Sequence, residues 1–217
     1  LEEAIMSPVH EIAVRSVKPG RSEAFRTRRR QFIDVLTTQA GVGTDREFQS
    51  FQALPEPDPT EVFIGMTTYD GLAANARVQR NPRLLWRFMS FARTMDLKAY
   101  VYVEPTEGPA FDLAALAAEP GQVLELAVRR VADPAAFNAA RKDFLARLDE
   151  QPGVLGSWEF RVVKGRKTDG LTVGMTVYES QDALQTVFGA LMPEPVTQAY
   201  FATFEPVAVQ YAVPVSS

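Results

Sequence analysis

The chain has 217 residues, 46% of them hydrophobic and 23% charged, the usage of a folded protein with one large or two small cores. Its net charge of -4 argues against a nucleic-acid partner, since phosphate binding needs a positive surface field. With no cysteine and one histidine, disulfides and thiolate metal sites are excluded, and a zinc or non-haem iron centre would rest almost wholly on carboxylates.

No apolar run approaches the roughly 20 residues that cross a bilayer, and no basic-then-apolar leader opens the chain. The expectation is a cytoplasmic protein with no membrane partner. Leu1 is not a start methionine, so the first residues are read as a remnant or a processed end, with Met6 a candidate native start.

In chain order, VHEIAVRSV (9–17) alternates and is rich in β-branched residues, which predicts a strand, and KPG (18–20) stops it. Ser22 is placed to cap a helix whose face is Phe25, Phe32, Val35 and Leu36, and Gly41 to end it. The arginines of RTRRR (26–30) spread around the solvent side of that helix. A strand over 46–52, a hairpin through LPEPDPT (54–60) and a strand over 62–69 follow. A second helix breaks at Asn81 and Pro82, and a strand over 99–103 closes the unit.

From VLELAVRRV (123–131) the whole order repeats. Asp133 caps a helix with Phe137, Phe144, Leu145 and Leu148 on one face, and Gly153 ends it. Strands over 157–164 and 171–178 flank the hairpin KGRKTDG (164–170). The next helix breaks at MPEP (192–195), and a strand over 207–213 comes last. QAGV answers QPGV, and FIGMTTY (63–69) answers TVGMTVY (172–178).

Each unit, 8–105 and 123–215, therefore reads as a ferredoxin-like βαββαβ fold, with 106–122 a linker holding a helical turn or two. A four-stranded sheet with both helices on one face leaves its other face bare. The α+β units are thus expected to pack sheet to sheet, as an intramolecular barrel. On the first strands, His10, Ile12 and Val14 (Leu124, Leu126 and Val128 in the copy) are expected to meet the helices. Glu11, Ala13 and Arg15 (Glu125, Ala127 and Arg129) are expected to look across to the other copy, pairing Glu11 with Arg129 and Glu125 with Arg15, or else to reach solvent at a sheet edge.

The passages VRSVKPG, AFRTRRRQFIDVL, QPGVLGSWEF and GMTVYESQDAL resemble the dimeric α+β barrel superfamily, and within it antibiotic biosynthesis monooxygenase domains. The resemblance spans nearly the whole chain as two tandem copies. It implies a pocket between sheet and helices and, in some members, oxidation of electron-rich aromatic substrates by dioxygen with no cofactor. Haem-degrading relatives use an asparagine, tryptophan and histidine set that neither copy shows. Where many members end the third strand with tryptophan and place a histidine on the following helix, this chain has Tyr69 and Tyr178 and no histidine.

His10 breaks the repeat, since its counterpart is Leu124, and it is the candidate catalytic group because imidazole exchanges protons near neutrality. The alternative is a hydrogen-bonded structural histidine. Trp86, Phe88 and Phe91 of LLWRFMSF (84–91) are candidate substrate-binding residues beside His10, or core. Tyr69 is a candidate substrate donor, or a structural strand end. Two functions follow. One is a cofactor-independent monooxygenase-like enzyme acting on a small aromatic or polyketide-like molecule, the first unit supplying a cavity of at least ~300 Å³ beside His10. The other is a non-catalytic small-ligand-binding or structural pseudo-dimer. Either is expected as a monomeric pseudo-dimer or a homodimer.

Overall fold

The computed structural model describes residues 8–165 and 168–215. Met6 and the tip of the KGRKTDG hairpin at 166–167 lie outside the described residues. The first unit runs β1 (Val9–Val17), α1 (Ser22–Leu36), β2 (Val42–Leu54), β3 (Val62–Tyr69), α2 (Leu72–Gln79), α3 (Pro82–Ala92) and β4 (Met95–Glu107). The second runs β5 (Val123–Val131), α4 (Pro134–Leu148), β6 (Val154–Gly165), β7 (Leu171–Tyr178), α5 (Gln181–Leu191), α6 (Pro195–Phe201) and β8 (Phe204–Pro214).

The sheets, β4-β1-β3-β2 and β6-β7-β5-β8, are antiparallel and join at both edges. Strand β2 pairs with β8, Gln49 opposite Val213, and β4 pairs with β6, Val103 opposite Val162. These two seams close an eight-stranded barrel and leave no edge strand unpaired. The predicted breaks at Pro82 and Pro195 separate α2 from α3 and α5 from α6. Asp133 caps α4 by accepting from the backbone N–H of Ala135 and Ala136 at 2.9 and 3.1 Å. Ser22 does not cap α1: the N-cap is Arg21, without a side-chain bond. Nor do Gly41 and Gly153 cap the helices. Both adopt positive φ just before the second strand, where a Cβ would stand 2.7 Å from Ala74 Cβ or 2.6 Å from Ala183 Cβ.

The two faces of β1 and β5 are reversed from expectation. Ile12, Val14, Leu124, Leu126 and Val128 point inward, where with Phe48 and Phe160 they form the barrel core. Closure removes this face from water on every side, so it admits little charge. Ala127 packs beneath the helices instead, on Leu148, Leu184 and Val187. The pairs Glu11–Arg129 and Glu125–Arg15 do not form. Each arginine bridges to the glutamate of its own unit's second strand, Arg15 to Glu47 at 3.5 Å and Arg129 to Glu159 at 2.6 Å. A helix arginine joins each pair, Arg29 to Glu47 at 2.5 Å and Arg141 to Glu159 at 2.9 Å. Arg29, expected on the solvent side, is thus turned in.

This network explains the repeated glycine of GMT. A Cβ at Gly65 would collide with the Arg15 guanidinium, and one at Gly174 would lie 2.5 Å from Arg129 Nη2. Arg129 cannot swing aside, being held by Glu159 and by the Phe137 and Phe204 rings, 5.1 and 5.5 Å away. Gly174→Ala should therefore cost about 2–4 kcal/mol by displacing a buried ion pair, measurable in denaturant unfolding.

The 106–122 segment does more than span. Leu113, Leu116 and Ala117 are buried in the barrel core, with Phe111 packed against it. Arg46 Nη1 donates to the Ala114 carbonyl at 2.7 Å, and Trp158 Nε1 to that of Pro109 at 3.0 Å. The segment closes one end of the barrel. His10 lies beneath it, 4.7 Å from the Phe111 ring and hydrogen-bonded through Nδ1 to Thr68 Oγ1 at 3.0 Å.

Burial lowers the His10 pKa from 6.5 to about 4. Below pH 6.5 the unfolded chain takes up a proton that the folded chain refuses until about pH 4, so stability falls as pH drops through that window. His10→Leu, which installs the Leu124 side chain, should remove a pH-dependent loss on the order of 3 kcal/mol, read from unfolding curves between the two pH limits.

Candidate active site

The outer face of β5 carries Glu125, Ala127 and Arg129 at the strand's two-residue spacing. Above them, enclosed by α4, α5 and α6, lies a cavity of about 400 Å³. Its walls are apolar, with Phe144, Leu148, Val187, Phe188 and Leu191 from the helices, while Leu54 and Pro55 of the first unit form part of its rim. On the sheet side, the small Val209 of β8 joins the lining.

Polar groups gather on the floor. Tyr178 Oη donates to the Glu125 carboxylate at 2.7 Å, and Tyr211 stands directly across from Glu125 on β8. Burial pushes the Glu125 carboxyl above its usual 4.5, against the opposing pull of the Tyr178 bond and Arg129. The surface that Glu125 keeps accessible faces the cavity. Burial and the Glu125 charge together push Tyr178 and Tyr211 well above the usual tyrosine range. Four residues along β5, Arg129 donates to both Glu159 oxygens at 2.8 and 2.6 Å and to Tyr200 Oη. Burial pushes Tyr200 up to about 12.

The first unit holds the same chemistry in a filled space. Tyr69 Oη donates to Glu11 at 3.2 Å, and Tyr102 stands across from Glu11 as Tyr211 does from Glu125. Tyr100 occupies the position of Val209, its hydroxyl 2.5 Å from that of Tyr102. Asn75 and Gln79, at the positions of Leu184 and Phe188, donate to Tyr102 at 3.2 and 2.9 Å. Of these exchanges, Tyr100 for Val209 adds a ring on the sheet side, where Val209 lines the second-unit cavity.

No protein-family model matches the chain, and no curated protein sequence does. Solved structures match along nearly its whole length. An anthrone oxidase-like protein aligns with a TM-score of 0.67 at 9% identity, over 97% of this chain and 92% of that one. A protein named "Putative monooxygenase" from Fusobacterium nucleatum gives 0.63 at 9% identity, over 97% and 93%. A chlorite dismutase from Candidatus Nitrospira defluvii gives 0.58 at 10%, over 96% and 92%. The chain has the dimeric α+β barrel fold, closed within one polypeptide.

In this dimeric α+β barrel the five residues singled out from sequence do not form one site. His10 points into the barrel, on the opposite side of the sheet from the helices. Phe88 and Phe91 pack together around Phe32, with Phe91 also 5.4 Å from the Arg15 guanidinium. Tyr69 belongs to the Glu11 cluster. Trp86 is 73% exposed on the outside of α3. None of them lines the second-unit cavity, although Trp86 borders a second cavity of about 310 Å³ with Arg28, Gln31, Arg87 and Ser90 of the first unit. Sequence reading passed over Glu125, Tyr211 and Arg129 as site residues. The mismatch between Tyr100 and Val209 was the available signal.

A haem-binding protein from Thermus thermophilus shares the fold with a TM-score of 0.53 at 13% identity. The cavity does not suit haem iron: the one imidazole is inside the barrel, and tyrosines with raised pKa values are poor tyrosinate ligands. Among the described residues no group of three or more His, Cys, Asp or Glu is placed to hold a metal ion.

Proposed function

We propose that the second unit binds a small, weakly acidic aromatic molecule and oxidises it with dioxygen, without a cofactor, using Glu125 as the base. The observation that carries this reading is a buried carboxyl of raised pKa facing an apolar cavity of about 400 Å³. A base tuned toward neutrality takes a proton most effectively, and apolar walls keep water from the resulting anion. For a ring methylene flanked by aromatic rings, Glu125 removes one proton and the carbanion adds dioxygen, giving a hydroperoxide after proton return. Loss of the second C–H proton and cleavage of O–O then release water and leave a carbonyl. One oxygen atom enters the product and the other leaves as water.

Arg129 and Tyr200, at the far end of the floor, supply donors for the charge that develops on the substrate oxygen. The names of the anthrone oxidase-like and monooxygenase neighbours support oxygen chemistry on this fold. Oxygen uptake with a panel of anthrones and hydroquinones tests the reading. Turnover that persists with a chelator is expected. Ligand binding in the cavity with no oxygen consumption above buffer overturns it in favour of a non-catalytic binding protein.

A further inference from the structure

The helices of the first unit present a surface that the cavity chemistry does not explain. Between Leu72 and Arg93 there are five arginines, at 77, 80, 83, 87 and 93, and no aspartate or glutamate. The matching helices of the second unit, α5 and α6, carry Asp182, with Glu194 at the α6 N-cap, and no basic residue. The charge therefore belongs to this unit and not to the repeat. Among the described residues, none of these five arginines has a carboxylate within 4.0 Å.

On α3, Leu84, Phe88 and Phe91 face the core. At 3.6 residues per turn, Leu85, Trp86 and Met89 fall on the opposite side. They are 53, 73 and 48% exposed, an unusual state for three large apolar residues within five positions of one helix. Arg83 and Arg87 flank this ridge on one side and Arg93 follows it, while on the neighbouring α1 Arg28 donates to the Ser90 carbonyl of α3 at 2.9 Å.

We infer that this face is a docking surface for an anionic lipid bilayer. No helix among the described residues is long and apolar enough to cross a membrane, and a contact along the surface asks for something different. It asks for a helix lying flat, apolar side chains reaching the acyl boundary, and cations among the headgroups. Trp86, Leu85 and Met89 beside the arginines meet those terms. Trp86 and Arg87 also border a cavity of about 310 Å³ with Arg28, Gln31 and Ser90, whose guanidinium and amide groups suit an anionic headgroup. The net charge is -4 with these arginines included, so the rest of the molecule is acidic and is repelled by the same surface. Docked this way, the cavity of the second unit faces the aqueous side.

Co-sedimentation of the full chain with vesicles of equal parts phosphatidylcholine and phosphatidylserine is the test, with pure phosphatidylcholine vesicles as control. Binding to the anionic vesicles alone is expected. Arg83→Glu with Arg87→Glu should weaken it about tenfold or more, and Trp86→Ser by a comparable factor. In a Trp158→Phe background, where emission comes from Trp86 only, the anionic vesicles should shift the spectrum to shorter wavelength. All these positions save Trp158 are exposed, and circular dichroism checks that each variant is folded. No sedimentation with anionic vesicles overturns the proposal, as does binding that the arginine reversals leave unchanged. A blue shift with poly-glutamate but not with vesicles assigns the face to an acidic protein and overturns it. So does a concentration-dependent dimer that Trp86→Ser abolishes, which would assign it to a second copy of the chain.

Discussion

Glu125→Gln is expected to lower oxygen consumption by about 10²- to 10⁴-fold while leaving ligand affinity within a few-fold of the parent. Glutamine keeps the shape of the side chain and can still accept from Tyr178, so the cavity remains, but the base is gone. In the parent, the acid limb of the rate profile should lie above the usual carboxylate value of 4.5, because burial raises the Glu125 pKa. The same shift has an opposite sign for stability. A carboxyl whose pKa is raised by folding contributes fully below its unfolded value, and that contribution is lost as pH rises through the folded value. Glu125→Gln should therefore be the more stable protein at neutral pH, in denaturant unfolding, while the less active one in oxygen uptake. A variant that loses both would mark Glu125 as structural.

Val209→Tyr is expected to abolish ligand binding, by about a hundredfold or more, with the fold retained. It places in the second unit the ring that Tyr100 places in the first, across from the matching alanine, Ala127 for Ala13, and two residues from the matching tyrosine, Tyr211 for Tyr102. Adding a large side chain to a packed core ordinarily costs about 1–3 kcal/mol, but here an existing cavity takes the ring. Calorimetric titration of parent and variant with one hydroquinone would settle the point. Undiminished binding to the variant would place the ligand elsewhere.

The two expectations drawn from the repeat fared differently. The βαββαβ order was legible because strands, proline breaks and the Asp133 cap are local signals, each set by a few neighbouring residues. Barrel closure was also legible in kind, since a bare sheet face must be covered. Which face is bare was not. Glu11 and Arg15 look unsuited to burial under a helix until Glu47, distant in sequence, is seen to pair with Arg15 there, with Arg29 and Asp45 completing the network. The rule that chemistry lies where the copies diverge led to His10 and Leu124, which differ for another reason. The 106–122 segment crosses the barrel once, and it is His10 that Phe111 covers. The divergence that opens a cavity, Tyr100 against Val209, is a difference of volume between two residues common in strands. Its meaning depends on what stands above each, and that is fixed by helix packing.

The paired seams, β2 with β8 and β4 with β6, carry one more implication. Were the barrel assembled from two identical chains, every substitution would appear on both sides at once, and no change could hollow one half while leaving its mate solid. Fusion lifts that constraint. One half is free to lose volume and accept a mobile guest, because the other, hydrogen-bonded to it along both borders, keeps the whole cylinder from collapsing.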